Sequence, residues 1–260
     1  MTVPFENDTG NIVRKLARKS LKSEKRRNLM VVIAVALASC LICFSIVMAL
    51  STRQIEKNHV EDTYEAVYTR ITEEDVSTLK GLDDFSRVGE YYMLAVEPAE
   101  QGYNASYIYC DEETMYIARD QMKLLEGRLP QKEDEVVVSR YFLSNYGADA
   151  GIGEKVMLSS ESFHGEYTVT GIMEGYKEKE VNGTSILLSK EALKGWSGYD
   201  PADYRAYVHF KNEQQMDETE LTARSREIAK EYQLEMPIMN LSYMKFYKQP
   251  VNVSMLALVA

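Results

Sequence analysis

The chain has 260 residues, enough for a sizeable core in one or two domains. Its net charge is −10, from 40 Asp and Glu against 30 Lys and Arg, and it carries three cysteines. That balance argues against a generally basic nucleic-acid binder, and so few cysteines exclude a disulfide-built scaffold.

In chain order, the first feature is the basic segment 11–28, NIVRKLARKSLKSEKRRN, with eight Lys and Arg against Glu24. A basic patch often meets nucleic acid, but this one runs straight into an apolar stretch, so a lipid bilayer is the expected partner and no nucleic acid is. Val13, Leu16, Ala17, Ser20 and Leu21 form a weak apolar stripe. Residues 1–28 therefore read as a cytoplasmic basic amphipathic helix on the inner leaflet, with a frayed juxtamembrane tail as the other reading.

Leu29 to Leu50 has no charge, no Pro and no Gly. As a helix its 22 residues rise about 33 Å, enough to cross a hydrocarbon core of about 30 Å. A core helix rarely stays uncharged on every side. A signal peptide is the stronger rival, with Val47 and Ala49 suited to cleavage. The apolar stretch and the segment before it are too long for one. Residues 29–50 are thus expected as transmembrane helix 1. The basic flank outweighs Arg53 and Lys57 beyond it, so the N-terminus is expected in the cytoplasm and residue 51 onward outside the cell membrane. Cys40 and Cys43 form a C-x-x-C inside the span, where they read as small residues one turn apart rather than a redox or zinc pair. Cys110 stands alone.

Outside, Tyr64 to Ile71 alternates and is aromatic and β-branched, a strand. Thr72 and Asp75 predict a capping box for a short helix with Val76 and Leu79 inward and a stop at Gly81. Val88 to Val96 and ASYIYC (105–110) are the next strands. The order returns late in the chain. YRAYVHF (204–210) is a strand, and Asp217 caps a helix that puts Leu221, Ser225, Ile228 and Tyr232 on one face. A strand around Glu235–Leu241 is weakened to an edge by Pro237. Between these units lie short strands at 135–139, 155–159, 167–173 and 184–189, and one helix from Tyr141 to Tyr146.

Chemistry is sparse. His59, His164 and His209 are isolated from one another and from any ligand at metal spacing. The turn GADAGIGEKV lacks the Lys and Ser/Thr of a phosphate loop, since Glu154 follows Gly153. No G-x-S-x-G occurs. The acidic clusters Asp111–Glu112–Glu113 and Glu133–Asp134–Glu135 lack a calcium-loop pattern and read as solvated turns. No catalytic, cofactor-binding or metal residue is assigned, and no cofactor is expected. All eighteen tyrosines follow residue 50, dense at Tyr91, Tyr92, Tyr103, Tyr107, Tyr109 and Tyr116. They suit either half-buried strands or a peptide- or lipid-contacting surface.

The stretch EGRLPQKEDEVVVSRYFLSNYGADAGIGEKVML, followed by YTVTGIM, resembles the extracytoplasmic domain of FtsX/MacB-like ABC transporter permeases. The residues that carry the resemblance are Gly127, Arg128, Pro130, Glu135, Val136, Val137, Gly153, Lys155, Val156 and Gly171, with Glu154 where the family usually has Asp. The basic segment leading directly into the first membrane helix is similar to the same family.

The resemblance implies an α+β fold: one N-terminal transmembrane helix, then an extracytoplasmic MacB-like domain over 51–250. The residues themselves suggest its division: the two strand–helix–strand units (51–111 and 199–250) read as one α+β subdomain, with 112–198 inserted as a β-rich lobe. The resemblance further implies a permease that is not itself an enzyme, paired with a second permease copy and a cytoplasmic ABC ATP-binding subunit. ATP hydrolysis by that subunit would move the outer domain for export, lipoprotein or peptide handling, or antimicrobial-peptide resistance, with a peptide or lipid as substrate. Family members have four spans, and residues 251–260, VNVSMLALVA, read as the start of a second membrane helix cut off mid-span. Lys245, Lys248, Tyr243, Phe246 and Tyr247 before it suit a membrane interface. A single-span receptor or signalling ectodomain anchored in the cell membrane is the alternative.

Overall fold

A computed structural model describes residues 10–100, 102–119, 121–146, 150–175, 178 and 183–248. The expected second membrane helix at 251–260 lies outside the described residues. The described residues fall into two units, one running through Ile55 and one beginning at Glu56.

In the first unit, helix α1 covers Gly10–Ser23 and helix α2 begins at Lys25. From residue 11 to 60 there is neither Gly nor Pro, so nothing interrupts α2 before its end at Val60. It is long and apolar enough to cross a membrane, and its apolar side chains stand exposed, Val32 and Phe44 among them. The span's two serines donate inward to its own backbone, Ser39 Oγ to Val35 O and Ser45 Oγ to Leu41 O, both at 2.9 Å. Their hydroxyls therefore need no water, which suits a hydrocarbon surrounding.

The second unit is built on one mixed sheet. Its strands are β1 (Ala66–Ile71), β2 (Phe85–Pro98), β3 (Asn104–Cys110), β4 (Met122–Gly127), β5 (Glu135–Ser139), β6 (Lys155–Ser159), β7 (His164–Gly175), β8 (Gly183–Leu188), β9 (Tyr204–Phe210) and β10 (Ile238–Met239). Their order is β10-β1-β9-β2-β3-β8-β5-β7-β4, with β6 also paired to β7. Pairs β3–β8 and β5–β7 are parallel, and the other pairs antiparallel. Strands β4 to β8 make one end of the sheet and β1, β2, β3, β9 and β10 the other. The parallel β3–β8 pair joins the two ends.

Both faces of the central strands are covered. On β5, Val136 and Val138 enter the larger core and Val137 the smaller; on β8, Ile186 and Leu188 face one way and Leu187 the other. Burial on both faces explains why EVVVS and SILL read as unbroken apolar runs. Helices α3 (Glu73–Lys80), α5 (Arg140–Asn145), α6 (Lys190–Gly195) and α7 (Glu218–Glu231) bury Leu79, Phe142, Leu193, Leu221 and Ile228 in the larger core. Helix α4 (Glu112–Ile117) covers the opposite face with Met115 and Ile117. Tyr68 Oη reaches across the larger core to Ser225 O at 2.9 Å, tying β1 to α7.

The two expected caps are present in full: Thr72 with Asp75 opens α3, and Asp217 with Glu220 opens α7. The edge strand near Pro237 shortens to the two residues of β10, since Pro has no N–H to give a ladder. Helices α4 and α6 and strand β4 were not anticipated. The acidic clusters also differ from solvated turns. Asp111 is the N-cap of α4, accepting from Thr114 N at 2.8 Å, and Glu135 is buried in β5.

Candidate functional site

The residues that follow α2 enter a buried polar network. Asp62 turns the chain with φ +53°, and Thr63 Oγ1 closes the helix end on Val60 O at 2.6 Å. Glu65, fully buried, then points its carboxylate at β9. Oε2 accepts from Phe210 N at 2.8 Å, and Oε1 lies 2.7 Å from His209 Nδ1. The same Nδ1 is 3.0 Å from Thr63 O. Two acceptors on one ring nitrogen require that nitrogen to carry the proton.

Three residues beyond β9's last residue, Glu213 is buried as well. It accepts from Tyr243 Oη and from Lys248 Nζ, the latter at 2.9 Å. Lys248 is itself buried and also donates to Glu213 O. Asn240 completes the frame: its N–H donates to Glu65 O at 2.8 Å and its Nδ2 to Tyr64 O at 3.0 Å, while Oδ1 accepts from Tyr243 N at 3.1 Å. Tyr243 and Tyr247 stack at 5.0 Å, and Lys57 on α2 sits 5.1 Å above the Tyr247 ring. Segments 57–65, 209–213 and 240–248 are thus locked through buried, mutually satisfied polar groups. Separating any of these pairs would leave a buried polar or charged group without its partner.

The electrostatics follow from this burial. Burial pushes the Glu65 carboxyl above its ordinary value, with the hydrogen bond and charge of His209 pulling the other way. Burial alone would lower His209, but the Glu65 hydrogen bond and charge, with Glu213 behind them, outweigh it and raise the imidazole. The pair therefore keeps its protons to higher pH than the separate groups do in water. Burial, then the Glu213 hydrogen bond, raises the Tyr243 phenol far out of the titrating range.

A second charged joint connects the two ends of the sheet. Lys190, at the start of α6, lies 2.6 Å from both Glu73 on α3 and Glu90 on β2. Lys194 adds Glu73 at 3.1 Å, and Lys80 reaches Asp111 at 3.0 Å. Burial would lower Lys190, but the two carboxylates outweigh it and raise its pKa.

Beside the first network is a cleft of about 350 Å³. His59, Tyr64, Gln121 and Asn240 wall it, and Ser106 and Ser185, register partners on β3 and β8, line it. Among the described residues no three His, Cys, Asp or Glu side chains converge as a metal site.

The residues of the sequence motif serve the fold. Gly127, with φ +83°, pairs in register with Gly171, and a Cβ on it would lie 2.2 Å from Thr170 O. Arg128 grips Glu135 with two bonds, at 2.7 and 2.8 Å, and Gln131 N adds a third at 2.9 Å. Together with the Lys132 N–H these hold the Glu135 carboxyl down at about 2. Gly153, with φ +86°, donates its N–H to Val169 O at 2.8 Å, and Lys155 pairs with Glu166. Of the histidines, His209 sits in the network and His59 on the cleft, while His164 opens β7. Of the dense tyrosines, Tyr91, Tyr92, Tyr103 and Tyr107 are buried in the sheet, and Tyr116 is exposed beneath the Arg87 guanidinium. Sequence reasoning missed the network, whose local signal is slight: Glu65 stands between Tyr64 and Ala66 at the start of a strand, and Glu213 among polar residues just after one.

The model of the MacB-like periplasmic core domain family matches residues 29–226. The chain belongs to that family. Three solved structures are similar. The extracellular domain of the ABC-type transporter YknZ from Gram-positive bacteria is 15% identical, with a TM-score of 0.48, over 68% of this chain and 100% of that one. The periplasmic region of MacB from Actinobacillus actinomycetemcomitans is 11% identical, with a TM-score of 0.48, over 71% and 91%. A permease-protein domain from Porphyromonas gingivalis is 16% identical, with a TM-score of 0.46, over 75% and 96%. No curated protein matches the sequence. As a MacB-like periplasmic core domain behind one long apolar helix, the chain is of ABC transporter permease type, a family of generally non-catalytic components with an ATP-binding partner in a membrane setting.

Proposed function

We propose that this chain is the membrane subunit of an ABC transporter. Its N-terminus and α1 lie in the cytoplasm, and residues 51–250 outside, as an α+β subdomain (51–111 and 199–250) carrying the inserted lobe 112–198. An ABC ATP-binding subunit works from the cytoplasmic side, a second permease copy completes the unit, and a peptide or lipid is the substrate. The eight Lys and Arg before the span support this orientation. The observation that carries the function is the buried joint of Glu65, His209, Glu213, Tyr243 and Lys248. It couples the end of α2 to the central sheet without slack, as conversion of membrane-helix motion into domain motion requires.

The test is purification of the full chain from its native membranes in mild detergent. An ABC-type ATP-binding protein is expected to co-purify, with vanadate-sensitive ATPase activity. Glu213→Gln should keep the partner bound while weakening the coupling of ATP turnover to domain movement. Co-purification of a kinase in place of an ATPase would support the receptor reading instead. A membrane-impermeant maleimide on intact cells should label Lys230→Cys and spare Lys15→Cys.

A further inference from the structure

Met236, Ile238 and Leu241 are 54%, 61% and 79% exposed, three large apolar side chains within six residues. Single exposed apolar residues are ordinary, but a run of them marks a contact surface. Met236 and Ile238 flank Pro237, the second of them opening the two-residue β10. Lys245, exposed, and Phe246, half-buried, follow shortly after. Apolar, aromatic and lysine side chains together have the composition of a membrane interface.

The occupant follows from the tether. Only ten residues of α2 separate Leu50, the last of the apolar run, from buried Val60, a rise of about 15 Å. Asn240 is bonded to Tyr64 and Glu65, which pins the Ile238–Leu241 stretch within five residues of that helix end. The patch is therefore joined to the end of the apolar run by a short tether, ten residues of helix and five more of chain. A second copy pairing on this edge is disfavoured, since β10 offers two residues next to a proline without an N–H. Anionic headgroups are disfavoured too, because Glu235 adjoins Met236 in the chain and Glu61 and Asp62 shortly precede Tyr64 and Glu65, to which Asn240 is bonded. We propose that Met236, Ile238 and Leu241 insert into the headgroup layer of the bilayer that α2 spans, docking the outer domain on the membrane by apolar contact with zwitterionic phospholipid. This rests on α2 being a membrane span.

The test uses the full chain, with Cys40 and Cys43 replaced by Ala, in phosphatidylcholine vesicles. A polarity-sensitive fluorophore is placed at Leu241→Cys, at Met157→Cys on β6 across the sheet, or at Ile42→Cys within α2. Nitroxide lipids carry the quencher near the headgroup or deep in the acyl chains. The expected result is blue-shifted emission at 241, quenched by the shallow nitroxide and unchanged in high salt, with neither effect at 157. Quenching at 42 by the deep nitroxide checks the span independently. Quenching at 42 with none at 241 overturns the docking while leaving the span intact. A blue shift at 241 that follows protein density and ignores both nitroxides overturns it in favour of a second copy.

Discussion

His209 Nδ1 lies 2.7 Å from Glu65 Oε1 although the two residues are 144 positions apart. Both groups have raised pKa values in the folded chain, so the folded state holds more protons than the unfolded one. For His209 the stabilisation is complete below its ordinary 6.5 and is lost as pH rises through the folded value. For Glu65 the protonated form is favoured from its ordinary 4.5 upward, and the slope has the same sign. The chain should therefore melt at higher temperature near about pH 6 than near about pH 8. His209→Gln should flatten that difference, and an unchanged slope in thermal melts of the variant would show that other groups set it.

Lys248 and Glu213 are both buried, and neither can be removed alone without leaving a buried charge. Lys248→Met is expected to cost about 3–5 kcal/mol, and adding Glu213→Gln should restore part of that loss. A double-mutant cycle by denaturant unfolding measures it. Simple additivity would mean the pair is not coupled.

Two glycines with nearly equal backbone angles should respond differently. Gly153→Ala meets nothing within 4 Å, so only its φ of +86° is strained, a cost of about 1–2 kcal/mol. Gly127→Ala carries a similar φ of +83° and also drives Cβ into Thr170 O. It should be clearly the more destabilising, as the difference in melting temperature will show.

Glu135 acts in the opposite pH direction to Glu65. Its carboxyl is held at about 2 by Arg128, so its stabilisation is present above the ordinary 4.5 and is lost as pH falls toward 2. Arg128→Met should lower stability above about pH 4.5 and flatten its fall from there toward pH 2, read by denaturant unfolding across that range.

Much of the local structure was legible in the sequence. The uncharged run from Leu29 to Leu50 specifies a long helix by composition alone. The caps at Thr72 and Asp217 are four-residue patterns that the fold leaves intact. Helix α4 escaped because its N-cap, Asp111, stands among acids that resemble a solvated turn, and its six residues are too few to show a period. The family's motif residues were found, but their role was not. Gly127, Arg128 and Glu135 shape a turn and a strand, and none of them belongs to the joint.

The sequence by itself determined which stretch is long and apolar enough to cross a membrane, where the capped helices begin, and which residues carry the MacB-like motif, because each rests on neighbours within a few turns of chain. Only the tertiary structure decided the joint. It requires β1 to lie between β9 and β10, in a register that sets Glu65 beside His209 and carries Asn240 to the backbone of Tyr64 and Glu65. That register follows from burial summed over the whole sheet, and so no local pattern could announce which acid would meet which base.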